Sequence, residues 1–322
     1  MTARVDGNVA PGRRTARARL RGSCPAMHAR LRRAAAHQAR GRHPARRRPA
    51  RSPLQPPMND TILLTRDGPV ATLTLNRPDA LNVLDPAMVD ALVARTSEVA
   101  ADDSLHVVVL RGAGKHFMAG GDIRNFAGEL RHAPADRQRG FQTMVERTHV
   151  AIEQLHRMPH PVVGRVHGAV AGFGLSLMNA CDLVVAADDA YFASAYRHIA
   201  LTPDGGGSWA LPRLVGMRRA MEIFLLGERF DAAEALRLGL VNRVVPAADL
   251  DGATDAIVRS LAAGPVFALR NTKRLIRESL AQTLSGQLQA EAVSFGQCTA
   301  TADFAEGITA FLAKRPPQFR RR

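Results

Sequence analysis

Short apolar runs alternate with longer amphipathic stretches from about residue 70 onward. Val70-Ala71-Thr72-Leu73-Thr74-Leu75 has the alternation and β-branched content of a strand. Asn76-Arg77-Pro78-Asp79 reads as a turn, and Asp85-Pro86 as an N-cap with proline at the first helical position. Residues 87–101 then place Met88, Leu92 and Val99 at helical spacing. Residues 107–110 are a buried strand, followed by Gly112-Ala113-Gly114. A second amphipathic helix spans about residues 142–158, with Val145, Ile152 and Leu155 on its stripe, and ends at Pro159-His160-Pro161. Val162-Val163 opens another strand, a glycine-punctuated turn leads into a helix over about residues 173–180, and residues 183–186 and 241–245 are further strands. Strands that alternate with helices predict an α/β architecture. From about Thr254 the pattern is helical as far as Phe311-Leu312-Ala313-Lys314-Arg315-Pro316, a C-terminal segment suited to oligomerisation. No internal repeat is visible.

Charge divides the 322-residue chain in two. Its net charge of +15 suggests a polyanionic partner. Residues 1–57, however, hold 15 Arg, no Lys and a single acid, Asp6, so this tail carries +14 and the other 265 residues only +1. The tail is rich in Ala and Pro, lacks a sustained apolar period, and is expected to be disordered. It could be a nucleic-acid-binding arm around Arg46-Arg47-Arg48, or an Arg-rich transit peptide. The favoured expectation is that translation starts at Met58, where globular patterning begins, since arginine-only basic usage with much Ala and Pro is what GC-rich leader DNA encodes. The expected organisation is a tail over 1–57, an α/β core over 58–253 and a helical region over 254–322.

Cys24, Cys181 and Cys298 lie far apart, which predicts neither a disulfide framework nor a zinc site and suits a reducing cytoplasm. The longest uncharged apolar stretch, residues 168–181, is too short to span a bilayer.

Three glycine-rich stretches carry the candidate chemistry: Ala119-Gly120-Gly121-Asp122-Ile123, the run from His167 to Ser176, and Thr202-Pro203-Asp204-Gly205-Gly206-Gly207. None has the spacing of a phosphate loop or a dinucleotide fingerprint. Taken alone, each could be a mere turn or a close backbone crossing. Such stretches can also expose backbone N–H groups, and two donors aimed at one point form an oxyanion hole for a developing enolate. A nearby carboxylate could then move protons on the acyl chain.

With Asn76 to Asn82, Phe117 to Ile123, Gly168 to Ser176, Ala180-Cys181-Asp182, Pro203-Asp204-Gly205-Gly206, Leu211 to Gly216, Leu238 to Val241 and Lys314-Arg315-Pro316 in that order, the chain resembles the crotonase (enoyl-CoA hydratase/isomerase) superfamily from about Thr61 to Phe319. The resemblance implies a spiral of ββα units, a C-terminal helical trimerisation region, homotrimers or hexamers, and an acyl-CoA thioester as substrate. Since CoA is then part of the substrate, no separate cofactor is expected; the cysteine spacing and hydropathy lead us to expect no metal and no membrane partner, and a nucleic-acid partner is not favoured. By the same resemblance the oxyanion hole is the N–H groups of Gly121 and Phe173, and Ala80, Leu81, Ala119, Asp122, Ile123 and Arg124 line the CoA side.

Hydratases of this family carry two glutamates, and here those positions hold Ser176 and Tyr196, neither of which is a carboxylate base. Asp204 stands where a branch that includes ring-epoxyphenylacetyl-CoA isomerases and 4-chlorobenzoyl-CoA dehalogenases places its aspartate. The resemblance therefore implies an acyl-CoA isomerase with Asp204 shuttling the proton. His149, at the dehalogenase general-base position, and Tyr196, where that enzyme has tryptophan, are further candidates for the chemistry. Three alternatives stay open: a hydratase, hydrolase or dehalogenase-like reaction; a non-catalytic CoA binder; or an RNA-binding member. The plainer expectations are that Asp204 caps a turn, that His149 is an ordinary helical histidine, and that Trp209 and Phe126 are core or pocket wall. Asp122 is expected to support a turn, Asp182 to cap or orient a helix end, Cys181 to pack as a small hydrophobe, and Lys314-Arg315 to be a solvated pair.

Overall fold

The computed structural model describes residues 60–319. The reading of residues 1–57 lies outside these. In chain order the elements are β1 (Ile62–Asp67), β2 (Val70–Leu75), α1 (Pro86–Ala100), β3 (Val107–Gly112), α2 (Ile123–Glu129), α3 (Pro134–Arg157), β4 (Val162–Val166), β5 (Ala169–Ala171), α4 (Phe173–Asn179), β6 (Leu183–Ala187) and β7 (Tyr191–Ala193). There follow α5 (Gly207–Val215), α6 (Met217–Leu226), β8 (Phe230–Asp231), α7 (Ala232–Arg237), β9 (Arg243–Val245), α8 (Leu250–Ala262), α9 (Val266–Ser279), α10 (Leu284–Thr299) and α11 (Ala302–Leu312).

The larger sheet has the order β1-β2-β3-β4-β6-β9, with β1 antiparallel at the edge and every other pair parallel. Each crossover steps the chain one strand further in the same direction, so the architecture is α/β, as its alternating pattern predicts. Buried on both faces, β3 is continuously apolar over Val107-Val108-Val109-Leu110. Val108 and Leu110 join the main core with Met88, Leu92 and Val99 of α1 and Leu155 of α3. Val107 and Val109 turn the other way, toward Val258 of α8. The Asp85 side chain accepts the Met88 N–H at 2.8 Å, the cap expected before Pro86.

Four details depart from the sequence pattern. Strand β1 pairs with β2 as a hairpin, so the helix-after-strand rule fails at the first step. Strands β5, β7 and β8 form a second, three-stranded sheet whose strands are two or three residues long, too short to show a period. Helix α3 starts at Pro134, two turns before the apolar stripe, because its first turns are exposed and polar. The C-terminal helices begin at Leu250, slightly ahead of Thr254. Among the described residues no helix is long and apolar enough to cross a membrane.

Candidate active site

Loops from the carboxyl ends of β3 and β5 meet the segment after β7 around a cavity of about 270 Å3. Its wall is largely apolar, with Leu84, Phe126, Met144, Val145 and Ile199, and it includes Gly121, Phe173, Tyr196 and Asp204.

Hydrogen bonds on two sides build the donor pair. The loop 118–122 is held on one side by Leu84 N–H to Gly120 O at 2.8 Å and Asp122 N–H to Leu84 O at 2.9 Å. On the other side Ala171 N–H donates to Met118 O at 2.9 Å. Gly120 and Gly172 then face each other so closely that a Cβ on Gly172 would lie 3.3 Å from Gly120 Cα. Both have positive φ, +97° and +54°, which glycine adopts without cost. The contact brings the Gly121 and Phe173 peptides to the same cavity. Among the described residues neither N–H donates to a backbone carbonyl or a side chain. At the start of α4, Phe173 N–H can have no partner within its own helix.

Among the described residues Asp204 is the one carboxylate on the cavity wall. Tyr196 Oη donates to its Oδ1 at 2.5 Å, and Ser176 Oγ donates to its backbone carbonyl at 2.8 Å. Ser176 Oγ and Tyr196 Oη are themselves 3.4 Å apart. Burial pushes the Asp204 carboxyl above the usual carboxylate range, and the Tyr196 hydrogen bond opposes that only in part. Burial, and then the charge of Asp204, hold the Tyr196 phenol far above its ordinary value, so it remains a donor. Ser176 and Tyr196, the positions to which the resemblance assigns the hydratase glutamates, are thus brought together as hydroxyls hydrogen-bonded to Asp204.

His149 is more than a helical histidine. Its Nε2 accepts the N–H of Gly205 at 3.1 Å, across 56 positions of sequence.

The residues expected on the CoA side divide. Ala119 and Ile123 line the cavity. Leu81 accepts the Ala119 N–H at 3.1 Å and is itself exposed, as is Arg124, while Ala80 ends a short 3-10 turn beside it. Asp122 turns away to cap α2, accepting from Arg124 and Asn125 N–H, and pairs with Arg77 at 3.1 Å. Burial alone would raise the Asp122 carboxyl, but the Arg77 and backbone hydrogen bonds outweigh it and leave it below its ordinary range. Asn82, read only as part of a motif, proves to be a buried hub. Its amide donates to Ala113, His116 and Phe117 carbonyls at 2.9, 2.8 and 3.1 Å and its Oδ1 accepts Arg77 N–H at 2.8 Å. Its φ of +54°, a region that Asn tolerates better than most residues, is the available clue.

Among the plainer expectations, Phe126 is cavity wall, and Cys181 is a buried thiol that burial pushes up to about 12, unfit as a nucleophile. Trp209 is a correction: it is 45% exposed, its ring edge-on to His156 and beneath the Arg213 guanidinium, because α5 turns it outward. Asp182 caps no helix but does hold helix ends: it receives Val162 N–H and pairs with Lys273 and with Arg277 in the last turn of α9, and Arg277 also donates to the Ala180 and Cys181 carbonyls just past α4. Arg315 pairs with Glu306 at 2.7 Å.

The enoyl-CoA hydratase/isomerase family model matches residues 65–322. The chain belongs to this family. It is 37% identical over 250 residues to a Rhodobacter capsulatus protein named "Probable enoyl-CoA hydratase", covering 78% of this chain and 94% of that one. It is 36% identical over 263 residues to the 1,2-epoxyphenylacetyl-CoA isomerase of Escherichia coli, covering 81% and 99%. The crystal structure of an enoyl-CoA hydratase from Polaromonas sp. JS666 superposes with a TM-score of 0.75 at 37% identity, covering 80% of this chain and 99% of that one. The fold is thus the crotonase fold, with its helical C-terminal region, and the activity is of the enoyl-CoA hydratase/isomerase type.

Proposed function

We propose that the chain is an acyl-CoA isomerase that works through a thioester enolate. The carrying observation is that, among the described residues, Asp204 is the lone carboxylate on the cavity wall, with the Tyr196 hydroxyl on its Oδ1 and the Ser176 hydroxyl on its backbone carbonyl. The Gly121 and Phe173 N–H groups would receive the thioester oxygen. Asp204 would take the proton as one C–H bond breaks, the electron pair moving onto that oxygen. The carboxyl, whose proton can trade with solvent while the enolate is held, would return a proton at another carbon, so one proton leaves, one returns and no atom is gained or lost. Burial raises the carboxyl above its ordinary value, which makes it a stronger base than an exposed aspartate. Losing one oxyanion donor costs about 2.7–4 kcal/mol in comparable sites. Ala119 and Ile123, with the exposed Leu81 and Arg124 and the neighbouring Ala80 and Asp122, would carry the CoA portion.

A hydration reaction would lack the paired carboxylates that activate water. A dehalogenase-like reaction would need His149 as a free base, yet its Nε2 already accepts Gly205 N–H. Solvent deuterium exchange at the carbons next to the thioester, across a panel of acyl-CoA thioesters, tests the proposal. Asp204→Asn should abolish exchange and turnover while acyl-CoA still binds, and full activity in that variant overturns the assignment.

We also infer a homotrimer or a hexamer of two trimers. Ile276, Leu280, Leu284, Phe295, Phe311 and Leu312 are all strongly exposed on and between α9, α10 and α11, more apolar surface than a monomer ordinarily leaves in water. Light scattering on the purified protein would overturn this by finding a monomer.

A further inference from the structure

The Asp204–Gly205 peptide is gripped at both ends. Its carbonyl oxygen, which belongs to Asp204, accepts Ser176 Oγ–H from α4 at 2.8 Å. Its N–H, which belongs to Gly205, donates to His149 Nε2 on α3 at 3.1 Å. In a trans peptide these two groups point in opposite directions, so the two side chains hold one plane from opposite sides. Helix α3 meets the same loop one turn further on, where a Cβ on Gly206 would lie 3.7 Å from Ile152 Cγ2. Tyr196 then takes Oδ1 of the carboxylate at 2.5 Å, fixing the side chain beyond the clamped peptide.

The direction of the His149 bond has a chemical consequence. A ring nitrogen that accepts an N–H uses its lone pair and carries no proton, so the ring proton resides on Nδ1. That lone pair is the one a general base at Nε2 would need. We propose that His149 is a positioning residue which, together with Ser176, clamps the Asp204–Gly205 peptide and so gives the aspartate a single aim; this rests on Asp204 being the proton shuttle. The role differs from proton transfer by His149 itself and explains how a mid-helix histidine is tied to a loop 56 residues away.

Two variants separate positioning from base chemistry. A glutamine Oε1 can stand where Nε2 stands and accept the same N–H, but it cannot act as a base near neutrality. Leucine can do neither. With deuterium exchange as the assay, His149→Leu should lower kcat about tenfold, the scale of one neutral hydrogen bond, with KM little changed. His149→Gln should recover most of that loss. If the glutamine variant is as inactive as the leucine variant while both melt like the wild type, or if the leucine variant is unimpaired, the proposal is overturned. A measurement on the unaltered protein keeps the test alive should His149→Leu fail to fold. Nitrogen-15 NMR of labelled histidine in mildly alkaline buffer, with the His149 signals assigned by their loss in His149→Gln, should show Nε2 unprotonated and Nδ1 protonated. The opposite tautomer overturns the clamp. Because the tautomer does not depend on turnover, failure of the isomerase assignment through an active Asp204→Asn would be distinguishable from failure of the clamp.

Discussion

The Phe173 ring is packed against Gly205 so closely that a Cβ there would lie 2.8 Å from Phe173 Cε2 and 2.9 Å from Ser176 Cβ. The residue whose N–H is proposed to receive the thioester oxygen therefore also buttresses the loop that carries the aspartate. Gly205 further has φ +57°, a conformation that other residues enter at a cost of about 1–2 kcal/mol. Gly205→Ala should push the Asp204 loop and the Phe173 peptide apart. A displacement near 1 Å at such a place can cost about 10²-fold in rate. Steady-state kinetics on the variant should show a fall of that size in kcat/KM, and thermal melting a modest destabilisation. Near-normal activity would mean that the two loops are not coupled.

Tyr196 and Asp204 form a pair in which one partner sets the charge of the other. The phenol hydrogen bond favours the carboxylate form, against the burial that dominates and raises the group. Tyr196→Phe removes the opposing influence and leaves the burial, so the Asp204 carboxyl moves further up. The acidic limb of the kcat/KM profile, which reports groups of the free enzyme, should therefore shift to higher pH. The rate on the plateau should fall as well, by about 10- to 100-fold if aim as well as charge is lost. An unmoved limb would separate Asp204 from the pH dependence.

How much of this was legible beforehand depends on distance along the chain. The Asp85 cap and the breaker at Pro159-His160-Pro161 are local chemistry, and both lie where their residues imply. The three site loops were legible because glycine runs advertise close backbone approach, and the contact between Gly120 and Gly172 is such an approach. The His149 bond had no local sign, since its partner is a backbone N–H on another element. Nor did Asp182, whose neighbours suggest a helix end but whose partners are on α9. The strands β5, β7 and β8 were invisible because pairings two or three residues long follow from tertiary placement and not from a period.

Asp182 ties the C-terminal helices to the core. Lys273 Nζ lies 2.7 Å from its Oδ2 and Arg277 Nη2 2.7 Å from its Oδ1, while Lys273 also donates to the His160 carbonyl at 2.8 Å. Burial lowers the Lys273 ammonium below its ordinary range, and Asp182 partly restores it. Removing one partner of such a buried pair strands the other charge, at about 3–5 kcal/mol. Asp182→Asn strands Lys273 and so should cost about that much in urea unfolding. Lys273→Met should cost less, because Arg277 still answers the carboxylate. Equal losses from the two changes would contradict this ranking.

Beside that cluster, His160 is fully buried and its ring lies 3.4 Å from Arg270 Nη2. Burial, followed by the charges of Arg270 and Lys273, lowers it to about 4. His156 is lowered to about 4 as well, by burial and then by Arg277 and Lys273. In the unfolded chain both return to the ordinary value near 6.5. Between these values the unfolded state binds more protons than the folded one, so stability declines as pH falls through that window. The stability is fully present above about 6.5, and protonation of His160 alone would remove about 3 kcal/mol by pH 4, at about 1.4 kcal/mol per unit. Urea unfolding at a series of pH values should show this decline beginning below pH 6.5, before ordinary carboxylates titrate. In His160→Gln the slope over the upper part of the window should be roughly halved, leaving the share of His156, and an unchanged slope would locate the proton uptake elsewhere.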